Sequence, residues 1–316
     1  MRMDEPLVTI ILATYNGEAF LEEQLLSIIN QSYTNIELLV ADDCSIDRSY
    51  EILTRYALSY KWMHLRQNEE RLGLVKNFEN LLESAKGDYI AFCDQDDIWR
   101  EDKVLKAVEI LQNEDNSKPL MFHSDLVVTN GKMKIISPSY FKMRSYCFGS
   151  DKQLDAIVGR CGVMGNTLVI NQKLKSLVLP FPHGLKAHDY WIALINELYG
   201  KRLTSFDMLV RYRLHQTNSS NTLDSIERKR GTAPFFSRDR INLPYFTINR
   251  EKVLKTMLKQ HQVEAEEKEV ILKFIDYLEF KKNKLYLIYL ILRYDFLRDN
   301  LLYRMKIGLK ILWKRR

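Results

Sequence analysis

The sequence predicts an α/β fold, a doubly wound and mostly parallel sheet, on three observations. β-branched and aliphatic runs alternate with apolar residues at helical spacing, as strand, helix, strand, helix, strand, helix, strand across residues 7–93. Carboxylates follow directly on the last apolar residue of two of these runs. The chain has 316 residues, 46% of them hydrophobic and 28% charged, ample for a substantial core in one large domain or two. The expected division is a sheet-bearing domain over residues 1–225 and a helical C-terminal extension over 226–316.

Residues 7–13 are continuously aliphatic and β-branched, as in a strand buried on both faces. The run breaks at Thr14-Tyr15-Asn16-Gly17, and Phe20, Leu21, Leu25, Ile28 and Ile29 then recur at helix spacing. A second strand, 36–41, ends in Asp42-Asp43-Cys44-Ser45-Ile46-Asp47, where Ser45 or Asp47 could cap a helix over 49–60. A third strand is expected around 63–66. Arg71 to Asn77 leads into a helix ending near Gly87, and a fourth strand occupies 89–93.

That strand stops at Asp94-Gln95-Asp96-Asp97-Ile98-Trp99. Crowded aspartates repel one another, so the cluster suits a hard divalent cation that takes oxygen ligands. The lesser reading of this stretch alone is an acidic turn capping a helix that begins near Trp99. The topology favours a site, because open α/β sheets bind ligands beyond the carboxyl ends of their strands, where Thr14–Gly17, Asp42/Asp43 and Asp94–Asp97 all fall. No GxGxxG or GxxxxGK[ST] loop follows the first strand, which argues against dinucleotide enzymes and P-loop phosphotransferases.

Further on, residues 122–128 read as a strand with Asn130-Gly131 as a hairpin turn. Residues 159–171 read as a Gly-rich turn running into a strand. Ala187-His188-Asp189-Tyr190-Trp191 opens an aromatic helix, where Asp189 by itself would be an N-cap. Val210-Arg211-Tyr212-Arg213-Leu214-His215-Gln216-Thr217-Asn218-Ser219 closes the series. The four cysteines have no CxxC spacing and no apolar run is long enough to span a bilayer. Reduced thiols and a cytoplasmic location, peripheral to the inner face of the membrane, are the expectation.

These motifs together resemble the family 2 glycosyltransferases, over residues 7–222. The His-Asp-x-Trp and Tyr-Arg-x-His pair with Asp-Gln-Asp-Asp-Ile-Trp is most similar to the bacterial rhamnosyltransferase branch. The resemblance implies a GT-A fold, inverting transfer, and a nucleotide-diphosphate sugar as donor, with dTDP-rhamnose favoured. It implies Thr14, Tyr15, Asn16, Asp42, Asp43, Arg71, Lys76 and Asp96 as donor-binding residues. Asp96, Asp97 and His215 would hold Mg²⁺ or Mn²⁺, and Asp94 is a less certain member of the cluster. Asp189 would be the general base, and Gly165, Asn166, His188 and Trp191 would lie on the acceptor side. Two positions depart from the family's pattern. Gln216-Thr217 stands where glycine often follows the histidine, and Lys76 precedes Asn77 where arginine is usual, a point charge in place of a bidentate fork.

Residues 301–316 carry Arg304, Lys306, Lys310, Lys314, Arg315 and Arg316 and no acid, a charge equal to the chain's net +6. With Leu302, Met305, Leu309, Leu312 and Trp313 among them, this stretch fits an interfacial helix on an anionic membrane surface as well as a packed helix with a solvated basic end. A glycan or lipid-linked glycan is the expected acceptor, and nucleic acid is not an expected partner, because no binding motif accompanies the basic charge. Two other classes remain for comparison. One is a non-catalytic nucleotide-sugar-binding scaffold, disfavoured by carboxylates at both the metal and base positions. The other is a nucleotidyltransferase, which would want a glycine- and arginine-rich loop after the first strand.

Overall fold

The computed structural model describes residues 5–149, 152–216, 218, 249–279, 282–297 and 301–313. Strands β1 (Val8–Thr14), β2 (Ile36–Asp42), β3 (Met63–Gln67) and β4 (Tyr89–Cys93) alternate with helices α1 (Leu21–Ile29), α2 (Ser49–Ser59) and α3 (Leu74–Ser84). All seven residues of β1 and all five of β4 are buried, as the unbroken apolar runs require. β1 pairs in parallel with both β2 and β4, placing Thr14 opposite Asp42 and Leu12 opposite Cys93. The chain therefore leaves β1, β2 and β4 at one edge, with all three polar turns side by side.

The second half adds β5 (Ile98–Trp99), α4 (Lys103–Gln112), β6 (Leu120–Asn130), β7 (Ile135–Ser137), α5 (Tyr140–Arg144), α6 (Leu154–Arg160), a 3₁₀ turn (Gly165–Thr167), β8 (Val169–Asn171), α7 (Gln172–Val178), α8 (His188–Tyr199) and β9 (Lys201–Leu214). The sheet runs β3-β2-β1-β4-β8-β6-β9-β5, with β7 on β6. Parallel pairing holds from β3 to β4 and between β6 and β9, and β8 is antiparallel to both β4 and β6. The register of β9 slips against β6 around Asp125. Beyond the slip, β9 carries Val210 and Arg211 onto Trp99 and Ile98 of β5. This non-local pairing joins the acidic cluster to the Tyr-Arg-x-His motif.

Three local expectations need correction. Ile98 and Trp99 form a short strand because β9 supplies a partner, and the helix expected near Trp99 begins at Lys103. Gly159 and Arg160 belong to helix α6 and not to a turn. A Cβ on Gly159 would lie 1.9 Å from the Phe296 carbonyl oxygen, so this glycine serves close packing against the C-terminal helices. The Asn130-Gly131 hairpin is a longer turn, with Asn130 N–H reaching the Lys134 carbonyl and Met133 taking a positive φ of 59°.

Helices α9 (Asn249–Gln260), α10 (Ala265–Glu279), α11 (Lys284–Arg293) and α12 (Leu301–Trp313) complete the described chain. Phe274 and Phe296, whose rings lie 4.9 Å apart, pack these helices on one another, and the set meets the α/β body where the Phe296 carbonyl lies against Gly159 and where Arg160 donates to the Leu297 carbonyl at 3.0 Å. The expected domain boundary at 225/226 lies outside the described residues.

Candidate active site

A cleft of about 570 Å³ opens at the carboxyl edge of the sheet. Thr14, Tyr15, Asn16, Asp43, Arg71, Asp96, Gly165, His188 and Asp189 line it, as do Asp94 and Asn218. The convergence of these turns follows from the parallel register of β1, β2 and β4 and the return of β9.

One wall is built from the β1 turn. Arg71 lies over the Tyr15 ring, 3.9 Å from its centroid. The Gln95 side chain clamps the Tyr15 backbone, accepting its N–H at 2.9 Å and donating to its carbonyl at 3.0 Å. A Cβ on Gly17 would stand 2.5 Å from that Gln95 oxygen, which explains glycine there. Asn16 has φ 48°, and its side-chain oxygen accepts the Ile46 N–H at 2.9 Å, tying this turn to the one after β2.

Asp42 and Asp43, expected together as donor ligands, do different work. Asp42 is fully buried, and its carboxylate accepts the Ser45 N–H and the Gln67 amide, each at 3.0 Å. It holds the turn and does not face the cleft. Asp43 lines the cleft from below, accepting the Leu72 and Gly73 N–H groups at 2.8 Å and so fixing the loop that carries Arg71. Lys76 does not line the cleft. It pairs at 2.8 Å with Glu79, and the exposed Lys186, which the sequence reading missed, lines the cleft.

The floor holds Asp94 and Asp96. Burial, with Asp96 and Asp189 facing it, pushes the Asp94 carboxyl up to about 7. Asp96 Oδ2 meets His215 Nε2 at 2.8 Å, and Asn218 donates to the Arg213 carbonyl at 3.1 Å while its own oxygen accepts the His215 N–H at 2.6 Å. Arg213 is buried and donates from Nε to the Asp96 carbonyl at 2.9 Å, from Nη1 to the Gly131 carbonyl at 3.1 Å, and from Nη2 to Glu23. Arg213 therefore sets the backbone of the acidic turn, a role the motif alone does not disclose.

Asp97 is displaced from the ligand position expected for it. Its side chain is fully buried behind the floor, where Oδ1 accepts the Arg213 N–H at 3.0 Å and Oδ2 accepts the Asn166 amide at 2.5 Å. Burial first, then Asp96 and Asp94, push this carboxyl well above the usual carboxylate range. Asn166 is likewise buried and does not line the cleft.

Asp189, which also lines the cleft, sits in the first turn of α8 and accepts the Tyr190 N–H at 2.7 Å. His188 packs between Phe78 and Phe92, at 4.4 and 5.3 Å between centroids, and burial lowers its imidazole below the ordinary histidine value, so it is neutral at pH 7. A Cβ on Gly165 would come within 2.9 Å of His188 Nε2, so this glycine leaves room for the His188 edge of the cleft. Trp191 is a core residue, 1% exposed, donating to the Val178 carbonyl at 2.8 Å, and it does not reach the acceptor side.

The donor set suits a hard cation. Asp94, Asp96 and Asp189 line one cleft near the His215 imidazole, and the Asp94 carboxyl is raised by burial first and by the Asp96 and Asp189 carboxylates second, the part that a divalent ion would relieve. Among the described residues no three His, Cys, Asp or Glu side chains already stand in ligating positions.

Residues 9–161 match the model of the family described as "Glycosyl transferase family 2". The chain is 26% identical over 254 residues, 78% of its own length and 93% of the relative's, to the UDP-Glc:alpha-D-GlcNAc-diphosphoundecaprenol beta-1,3-glucosyltransferase WfgD of Escherichia coli. It is 40% identical over 105 residues, 32% of this chain and 36% of the relative, to the dTDP-rhamnosyl transferase RfbG of Shigella flexneri. Two other curated relatives match at 36% and 37% identity over 42% and 48% of their own length, so the chain spans under half of either. Among solved structures, S. aureus TarS 1–349 in complex with UDP-GlcNAc superposes with a TM-score of 0.60 at 17% identity, covering 96% of this chain and 88% of that one. At that identity the likeness is one of fold, the GT-A architecture expected from the motifs.

Proposed function

We propose, from the premise that residues 9–161 belong to glycosyl transferase family 2, that this chain moves a sugar from a nucleotide-diphosphate donor to a hydroxyl of a glycan acceptor. The observation that supports the reading is that Asp189 shares one cleft with Asp94 and Asp96, lined also by Tyr15 and Arg71. A base and a cation-attracting group around one bound donor are what a single in-line displacement needs.

In this reading the nucleoside lies along Thr14, Tyr15 and Asn16, with Asp43 holding the loop behind it. Asp96 and His215 would hold Mg²⁺ or Mn²⁺, with Asp94 beside them. When bound, that ion supplies Lewis-acid stabilisation of charge growing on the departing diphosphate. Arg71 and Lys186 share the same charge from the cleft wall. The acceptor oxygen forms its bond to the anomeric carbon as the carbon–diphosphate bond breaks, and its proton passes to the Asp189 carboxylate. One displacement inverts the anomeric configuration, and no side chain is called on as a covalent nucleophile.

dTDP-rhamnose is the favoured donor, supported by the His-Asp-x-Trp and Tyr-Arg-x-His motifs and by the partial match to RfbG. A lipid-linked glycan in cell-surface polysaccharide assembly is the favoured acceptor, supported by the longer match to WfgD. A UDP- or GDP-hexose is the rival donor within the same class. The deciding experiment is hydrolysis and calorimetric binding of dTDP-rhamnose beside UDP- and GDP-sugars, with Mg²⁺, Mn²⁺ or EDTA. EDTA-sensitive release of dTDP from dTDP-rhamnose alone is expected. Preference for a UDP- or GDP-sugar would replace the sugar and keep the class, and failure to bind any nucleotide sugar would overturn the reading in favour of a scaffold.

A further inference from the structure

Helices α11 and α12 form an antiparallel pair. Lys284 Nζ donates to the Leu312 carbonyl at 2.8 Å, and Gly308 packs on Ile288, whose side chain would lie 3.3 Å from a Cβ there. At the other end of the pair Arg304 reaches back to Asp295. Positions 284, 288 and 291 of one helix thus face 304, 308 and 311 of the other. In an antiparallel pair, the residue after each facing position turns to the same side of both helices, because each advances 100° and the two run in opposite directions.

The residues so placed are Leu285, Tyr289 and Leu292 on α11 and Met305, Leu309 and Leu312 on α12, and they are 40–73% exposed. Leu302, 78% exposed, extends the row. The two helices contain no acidic residue. Lys306 and Lys310 lie a further step round α12 from Met305 and Leu309, bordering the apolar row, and the sequence continues with Lys314, Arg315 and Arg316. No helix among the described residues is long and apolar enough to cross a membrane.

We infer that this paired face, and not the terminal helix alone, docks the protein on an anionic lipid surface with both helices lying in the interfacial plane. An apolar face with Lys306 and Lys310 along one border and no acid in either of its helices matches the interfacial region of an anionic leaflet. A second copy of the chain would bring the same bordering cations against one another, which disfavours self-association through this face. The pair is also hydrogen-bonded to the helix that leads to the cleft. Asp155 of α6 accepts the Asp295 N–H at 2.7 Å, Arg160 holds the Leu297 carbonyl, and α6 leads within five residues to Gly165 on the cleft wall. Docking through α11 and α12 would therefore set the orientation of the cleft to the membrane, where a lipid-linked acceptor would be presented.

The test is co-sedimentation of the full chain with phosphatidylcholine vesicles, with and without phosphatidylglycerol, over a salt series and without any sugar donor. The outcome is therefore independent of the glycosyltransfer reading. Binding is expected on phosphatidylglycerol vesicles and should weaken with salt. Met305→Glu with Leu309→Glu should lower partitioning roughly tenfold or more. Lys306→Gln with Lys310→Gln should lower it about fivefold per charge removed. The lysine pair keeps the test decisive if the glutamates impair folding. Equal sedimentation on neutral and anionic vesicles, or partitioning unchanged in both double variants, would overturn the inference. So would a concentration-dependent dimer by light scattering that the glutamates dissociate while vesicle binding is absent.

Discussion

His215 Nε2 lies 2.8 Å from Asp96 Oδ2, joining the end of β9 to the turn after β4 across 119 residues of chain. Asn218 and Arg213 complete this knot, of which Asp96 and Asn218 line the cleft while His215 and Arg213 stand behind them. A metal-assisted site would draw on these two side chains first. Asp96→Asn and His215→Ala should each weaken cation-dependent nucleotide-diphosphate binding by roughly 10- to 100-fold. Calorimetry with Mg²⁺ or Mn²⁺ and with EDTA checks this; affinity unchanged in both variants would leave the pair a structural latch.

Asp189 lines the same cleft from the first turn of α8. Asp189→Asn should reduce turnover by about 10²- to 10⁴-fold while nucleotide-diphosphate affinity stays within about threefold of wild type. Steady-state transfer and binding measured on the same preparation separate the two. Turnover near wild type would reduce Asp189 to a helix-capping carboxylate.

Asp97 should respond as a buried organiser. Asp97→Ala leaves the Arg213 N–H and the Asn166 amide without their acceptor in the interior, and should cost about 2–4 kcal/mol in urea unfolding. Asp97→Asn should cost about 1 kcal/mol or less, because Asn166 can turn its otherwise unpartnered oxygen to the new amide. It should also keep cation-dependent nucleotide binding. Loss of that binding in a stably folded Asp97→Asn would restore Asp97 as a ligand.

Lys103 makes a pH prediction. Its ammonium is fully buried with no hydrogen-bond partner, lying 3.4 Å from the centroid of the Trp99 ring, and burial pulls it down from 10.5 to about 7. The folded state thus holds this proton less tightly than the unfolded state does. The resulting penalty is full below pH 7 and fades as pH rises toward 10.5. Lys103→Met should therefore be more stable than wild type near pH 6, by on the order of 1–3 kcal/mol, and the gain should shrink by pH 9–10. Unfolding curves of the two proteins at four pH values check it, and a pH-independent difference would contradict it.

Local pattern carried most of the first half of the fold into view. Strands β1 to β4 and their helices follow from aliphatic runs and helical spacing, because buried parallel strands must be apolar throughout. Trp99 shows the limit of this reading. Its two-residue strand exists only because β9 arrives beside it, over a hundred residues later. Glycine was legible as an interruption at 159, but its reason, contact with the Phe296 carbonyl, depends on helices whose docking no local window contains.

The same division runs through the site. The sequence by itself determined which chemistry gathers at the sheet edge, since carboxylates after β2 and β4 and the His-Asp of α8 are written as contiguous motifs. Only the tertiary structure decided which of them face the cleft. Asp96 and Asp43 line it, whereas Asp97 and Asp42, one residue away from each, turn into the interior to satisfy backbone and amide donors. Lys76 and Trp191 are likewise diverted, one to Glu79 and the other to the core, while Lys186, Gln95 and Arg213 take roles that their local sequence does not announce. The physical reason is that burial and hydrogen-bond satisfaction are properties of neighbours in space. Adjacent residues at a strand's end can meet opposite environments, and composition records the residue types without recording which way each side chain must turn.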